Sequence, residues 1–234
     1  MNQQGDSAPE IARPALLKVL ESAARLQVAV PDAVLVGGTA AALWAGHRIS
    51  TDHDHVLLDL RDRFSTVLEG IEATDGWVTN RTVPGEVILG ELGGIESGVR
   101  QLLRTRPLEF TRMALPSGHS VNVPTCEETL RIKAYLIVRR NQVRDYLDVA
   151  ALTERCGVSP SARVLEQIDQ YYNDQRGPDP QGVATQLARQ LADPQPVDRW
   201  TTRQLGSYTD VDERWSSWLA IKGVCRSLAV EMAR

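Results

Sequence analysis

The stretch Leu35-Val36-Gly37-Gly38-Thr39, followed after twelve residues by Asp52-His53-Asp54, decides how this chain folds. An apolar run ending in Gly-Gly-Thr reads as a buried strand that turns tightly into a helix, here Ala40–Ala45. The strand that follows brings back two carboxylates. Residues two apart on a strand share a face, with side chains rooted roughly 6.5 Å apart. Asp52 and Asp54 therefore converge on one place, where a hard divalent cation with its preference for oxygen would find ligands. Glycines let a backbone approach phosphate oxygens closely, and amides at a helix start favour anions. A phosphate cradle beside metal-binding carboxylates points to nucleotide chemistry.

Composition sets the frame. The 234 residues suffice for one large domain or two small ones, and 42% hydrophobic with 24% charged content is ordinary for a soluble globular chain. No apolar run is long enough to span a bilayer, and the start Met1-Asn2-Gln3-Gln4-Gly5-Asp6 lacks the basic and apolar parts of a leader. Cys126, Cys156 and Cys225 lie far apart without metal-ligand spacing and fit reduced thiols. A cytoplasmic protein without membrane contact is expected. The net charge of −4 is uneven: −7 over residues 1–99, +5 over 100–163 and −2 over the rest. The basic middle is available to a polyanion, or is simply a solvated helical face.

Along the chain, residues 1–13 read as a flexible polar tail, and helical spacing of Leu16, Leu17, Leu20, Ala24 and Leu26 predicts a helix from Pro14 to Val28. Strand Ala33–Val36, helix Ala40–Ala45, strand Asp52–Leu60 and helix Asp62–Ala73 follow. Strands are then expected at Trp77–Val83, Glu86–Leu89, Leu108–Leu115 and Ser120–Val123, with the Gly-rich 90–104 region unassigned. From Thr125-Cys126-Glu127-Glu128, a helix cap with acids in the first turn, helices predominate: Glu127–Arg139, Gln142–Arg155, Ser161–Asn173, Gln181–Leu191 and Asp212–Ala233. Breaks fall at Gly177-Pro178-Asp179-Pro180 and Pro194-Gln195-Pro196. The expected architecture is α/β (α+β): a mixed-sheet core with flanking helices over 14–124, then an all-helical lobe over 125–234.

Lys133 stands out because the chain has three lysines against twenty-three arginines. A compact ammonium suits phosphate as a point charge. Downstream, Arg144-Asp145-Tyr146-Leu147-Asp148 puts two carboxylates three apart on one helix face.

Gly-Gly-Thr, a short helix and Asp-x-Asp together resemble the signature of the DNA polymerase beta-like nucleotidyltransferases. With the Lys133 helix and the Arg-Asp-x-x-Asp segment, residues 34–153 are similar to one branch, the AbiEii/AbiGii-type nucleotidyltransferase toxins that include the mycobacterial MenT toxins. The resemblance implies transfer of a nucleoside monophosphate from an NTP to the 3′ end of tRNA. Pyrophosphate leaves, translation stops, and a co-encoded antitoxin neutralises the toxin. It implies one or two Mg²⁺ ions on Asp52 and Asp54, and Gly37, Gly38 and Thr39 on the β- and γ-phosphates. Ser50 matches a hydroxyl near the metal, and Lys133 would neutralise the triphosphate. Asp148 would orient Lys133 or the nucleophile, with Asp145 and Arg144 supporting the nucleotide.

Two departures from that pattern are visible. The positions flanking Asp54 are usually apolar in the superfamily and here are His53 and His55; strand alternation points them away from the aspartates, as structural imidazoles. A third carboxylate on a later strand, common in the superfamily, has only Glu109 and Glu86 as weak candidates. Alternatives are a nucleotidyltransferase acting on a small molecule or protein, a non-catalytic interaction protein of the same fold, and a metal hydrolase built on His53-Asp54-His55.

Overall fold

The computed structural model describes residues 13–175, 181–208 and 210–234. Helix α1 (Pro14–Ala29) begins with proline, whose missing N–H costs nothing in a first turn. Strand β1 (Val34–Val36) passes directly into α2 (Gly37–Ala45). The Gly37-Gly38-Thr39 stretch is thus the first turn of the helix and not a separate turn before it. Gly37, at φ +78°, makes the change of direction in a single left-handed residue. At position 38 a Cβ would lie 2.6 Å from Ser50 Oγ and 2.7 Å from Arg48 Nη2, so a larger residue would have to displace both side chains of the following loop.

Strand β2 (His53–Leu57) is shorter than expected and begins just after Asp52. It is followed by α3 (Phe64–Glu72), β3 (Trp77–Val83), β4 (Val87–Leu92) and β5 (Ile95–Gln101). The unassigned 90–104 region therefore holds the end of β4 and all of β5. Its glycines concealed a hairpin: Gly93 and Gly94 adopt φ +61° and +77° in the tight turn. The five strands order as β1-β2-β5-β4-β3, with β2 and β5 parallel and every other pair antiparallel. A separate hairpin pairs β6 (Phe110–Ala114) with β7 (Ser120–Pro124).

Helices α4 (Cys126–Arg140) and α5 (Val143–Cys156) follow. As the cap sequence predicts, Thr125 Oγ1 accepts a hydrogen bond from the Glu128 amide at 3.1 Å. Asn141, left-handed at φ 52°, stops α4. Helix α6 (Val158–Glu166) ends well short of Asn173, giving way to two 3₁₀ turns. There Asp169 leaves the helical path to accept from the Val183 amide at 2.6 Å, capping α7 (Val183–Ala192). The last helix, α8 (Trp218–Met232), starts later than Asp212, which instead caps the 3₁₀ turn Glu213–Ser216. The expected tail and the Gly177–Pro180 break lie outside the described residues, apart from Arg13. Among the described residues no helix is long and apolar enough to cross a membrane.

Alternation on β2 sorts the sheet's faces. His53, His55 and Leu57 are buried, and Leu57 joins the core formed by the sheet, α1 and α3. Asp54 and Val56 look the other way, toward the cavity described below. Helix α2 joins the halves of the chain: Ala42 and Leu43 belong to the core with α1 and the β6–β7 hairpin, whereas Ala41 and Trp44 belong to the core of α4 through α8. Leu147, with no exposed surface, sits in that helical core. Leu147→Ala is expected to lower unfolding free energy by about 2–5 kcal/mol, measured as a shifted urea midpoint.

Candidate active site

A cavity of about 330 Å³ opens where β1, α2, β2, the end of β5 and α4 meet. Its walls include Gly37, Gly38, Ser50, Asp52, Asp54, Lys133 and Arg144, so the structure gathers residues more than a hundred positions apart. Ser50 Oγ donates to Asp52 Oδ1 at 2.7 Å, orienting that carboxylate. Thr39 is buried and its hydroxyl donates to the Asp52 carbonyl at 2.5 Å, so it ties the helix start to the acidic strand. Asp54 has room because β5 presents Gly98 opposite it; a Cβ there would lie 2.7 Å from Asp54 Oδ1.

Asp148 and Asp145 do not line the cavity; both are buried behind it. Asp148 accepts from Lys133 Nζ at 2.7 Å, Arg48 Nε at 3.0 Å and His47 Nε2 at 2.8 Å. Burial opposes ionisation of this carboxyl, but Arg48, Lys133 and His47 overcome it and hold it well below the usual carboxylate range. Burial lowers the His47 pKa, against the pull of its bond to Asp148. A carboxylate can only accept, so His47 carries its proton on Nε2. Asp145 binds Arg140 through two 2.7 Å hydrogen bonds, and it is Arg140 that reaches the cavity.

Arg48, His47 and Arg140 were missed by sequence reading. Arg48 and His47 lie in the loop between α2 and β2, about a hundred residues from Asp148, and no local pattern announces the contact. Arg140, five residues before Asp145, was within reach of a helix-end argument. Six basic residues (Arg48, Arg100, Arg104, Lys133, Arg140 and Arg144) now line a cavity whose lining carboxylates are Asp52 and Asp54; of the six, Arg104 is fully buried and paired with Glu128. Such a lining suits a polyphosphate.

The histidines sit where alternation predicts. His53 Nε2 and Nδ1 meet Ser22 Oγ at 3.0 Å and Ser97 Oγ at 3.1 Å, and His55 stands edge-on to His53 at 5.2 Å. Both are buried, and neither lines this cavity, where the side chains able to ligate a cation are carboxylates and a hydroxyl. The donor set thus fits a hard divalent cation and disfavours an imidazole-bound one. Among the described residues no three His, Cys, Asp or Glu side chains gather as a metal site. Glu109 is engaged elsewhere, with Arg131 and Tyr171. By contrast, Glu96 on β5 falls opposite Asp52 when the parallel register is extended by one residue, and it lines a neighbouring cleft with both aspartates.

The match to a family model, nucleotidyl transferase AbiEii toxin of type IV toxin–antitoxin systems, runs over residues 18–221. The chain belongs to this family. Curated relatives include the heme uptake protein MmpL11 of Mycobacterium tuberculosis, 32% identical over 92% of this chain but 22% of that protein. The mycolic acid-containing lipids exporter MmpL11 of Mycolicibacterium smegmatis is 41% identical over 55% of this chain and 13% of the exporter. The chain thus spans about a fifth or less of the length of these relatives. Among solved structures, an antigenic nucleotidyltransferase-like protein from Paracoccidioides brasiliensis matches 74% of this AbiEii-family chain and 92% of its own, at 16% identity and TM-score 0.45. JHP933 from Helicobacter pylori matches 94% of each chain at 13% identity and TM-score 0.40.

Two predictions follow from the site's electrostatics. Burial lowers the His53 pKa to about 4, against a weaker pull from Asp52. Between pH 6.5 and 4 the unfolded chain takes up a proton that folded His53 refuses, so stability falls as pH falls through that window. Urea midpoints at pH 6.5 and 4.5 should show a smaller drop in His53→Gln. Separately, Asp148→Asn leaves Arg48 and Lys133 without their buried counter-charge and should cost about 3–5 kcal/mol, read from the urea midpoint at pH 7.

Proposed function

We propose that this chain transfers a nucleoside monophosphate from an NTP to the 3′ end of an RNA, with tRNA as the acceptor class, and that it does so with Mg²⁺. The observation that carries this reading is the meeting of Asp52 and Asp54 with Lys133, Arg48, Arg140 and Arg144 around one cavity at the start of α2. Membership of the AbiEii family supports nucleotidyl transfer as the reaction and an antitoxin as a partner.

The expected roles follow from position. Asp52, held by Ser50, and Asp54, given room by Gly98, would hold the cation. When bound, Mg²⁺ supplies positive charge to the triphosphate as negative charge develops during displacement. The Gly37–Gly38 backbone offers close approach for the phosphates, at a helix start whose amides favour anions. Lys133 and Arg48, fixed by Asp148, present charge to the leaving pyrophosphate without having to reorganise. The acceptor oxygen forms the new bond to the α-phosphorus as the bond to the bridging oxygen breaks. Pyrophosphate leaves, and the acceptor's hydroxyl proton passes to water.

RNA is favoured over a small acceptor because the basic side chains at the cavity mouth, Arg100 and Arg144, are exposed, and Arg139 is exposed nearby on α4. Transfer to tRNA would stop translation, and the co-encoded antitoxin would counter it.

The test is incubation of the chain with each α-labelled NTP, Mg²⁺ and total RNA. Label should appear in tRNA, and Asp52→Ala should reduce the rate by about a thousandfold. Near-normal transfer by Asp52→Ala would remove the metal-carboxylate assignment. Label on the protein alone would make it a protein-modifying enzyme.

A further inference from the structure

Asp52, Asp54 and Arg100 line two cavities, not one. The first contains the Gly37–Gly38 turn and Lys133. The second, about 290 Å³, extends toward the far edge of the sheet and adds Asn80 and Arg81 on β3, Leu89 and Gly90 on β4, Glu96 and Ser97 on β5, and His53 at the start of β2. Asp54 on β2 and Asp52 just before it line both cavities and stand between them.

The β3 wall is locally irregular. Thr79 pairs with Gly90 and Arg81 with Leu89, which leaves Asn80 as an extra residue in a bulge. On a regular strand Asn80 and Arg81 would face opposite sides; a bulge re-aims side chains, and here both line the same cavity. Both are exposed, as is Glu96. None of these three side chains makes a hydrogen bond or ion pair among the described residues, in contrast to the engaged cations of the first cavity.

We infer that the second cavity receives the 3′-terminal nucleotide of the RNA acceptor, with Arg81 and Asn80 holding its phosphate and sugar. The inference rests on the proposed function. In phosphoryl displacement the attacking and leaving oxygens lie roughly in line. With the pyrophosphate on the Gly37–Lys133 side of the carboxylates, the attacking hydroxyl must approach from the other side, where this cavity opens. Its polar walls and two guanidinium groups suit a nucleotide's phosphate and ribose.

The test compares the unaltered chain with Arg81→Ala, Asn80→Ala and Arg81→Lys, using α-labelled NTP and total tRNA. Thermal melts confirm that these surface variants fold. Arg81→Ala should raise KM for tRNA about tenfold, leave KM for the NTP unchanged and flatten the salt dependence of tRNA binding. Arg81→Lys should restore part of the loss. An arginine that merely guards the sheet edge would leave both constants unchanged, and that result, in a chain that labels tRNA, overturns the inference alone. If the unaltered chain labels no RNA with any of the four NTPs, the proposed function falls and this inference with it.

Discussion

The buried Asp148 carboxylate is the point on which the site depends. It takes hydrogen bonds from Lys133 on α4 and from His47 and Arg48 in the loop after α2, and it sits on α5 itself. Removing such charges from water costs several kcal/mol per ion, recovered only when the carboxylate is fully partnered. The arrangement therefore tolerates one relative placement of three chain segments. That placement sets how far Lys133 and Arg48 stand from Asp52 and Asp54. The proposed triphosphate site gains from such fixed charge, because a flexible lysine would lose interaction energy to its own ordering.

The second constraint is the two-residue period of β2. One strand serves the core with His53 and His55 and the cavity with Asp54 and Val56. Imidazoles in a core are unusual, and His53 is accommodated by Ser22 from α1 and Ser97 from β5, which meet its two ring nitrogens. Neutral histidine is the form such a pocket favours, and burial keeps it neutral.

Much of this was legible in the chain itself. Gly37-Gly38-Thr39 and Asp52-His53-Asp54 carry their meaning in local spacing, and Lys133 is conspicuous among twenty-three arginines. The Thr125 cap and strand β3 fell where turn chemistry and β propensity put them. Illegible features were those that depend on distance or on absent side chains. Arg48 and His47 matter because of Asp148, a hundred residues away. Strand β5 was hidden because Gly94 and Gly98 read as loop, although Gly98 is there to make room for the Asp54 carboxylate. Asp145 was read as a nucleotide ligand, whereas its oxygens hold Arg140; spacing reveals a shared face but not what occupies it.

Helix α2 has a consequence for the chain as an object. Nine residues long, it lends Ala42 and Leu43 to one core and Ala41 and Trp44 to another, and its Trp44 ring donates to the Pro124 carbonyl at 2.9 Å. A cut between residues 124 and 125 would therefore not release two self-sufficient halves. The helical half would lose a tryptophan from its interior, and the sheet half would carry that tryptophan bare to water. The residues of the candidate site are drawn from both sides of such a cut.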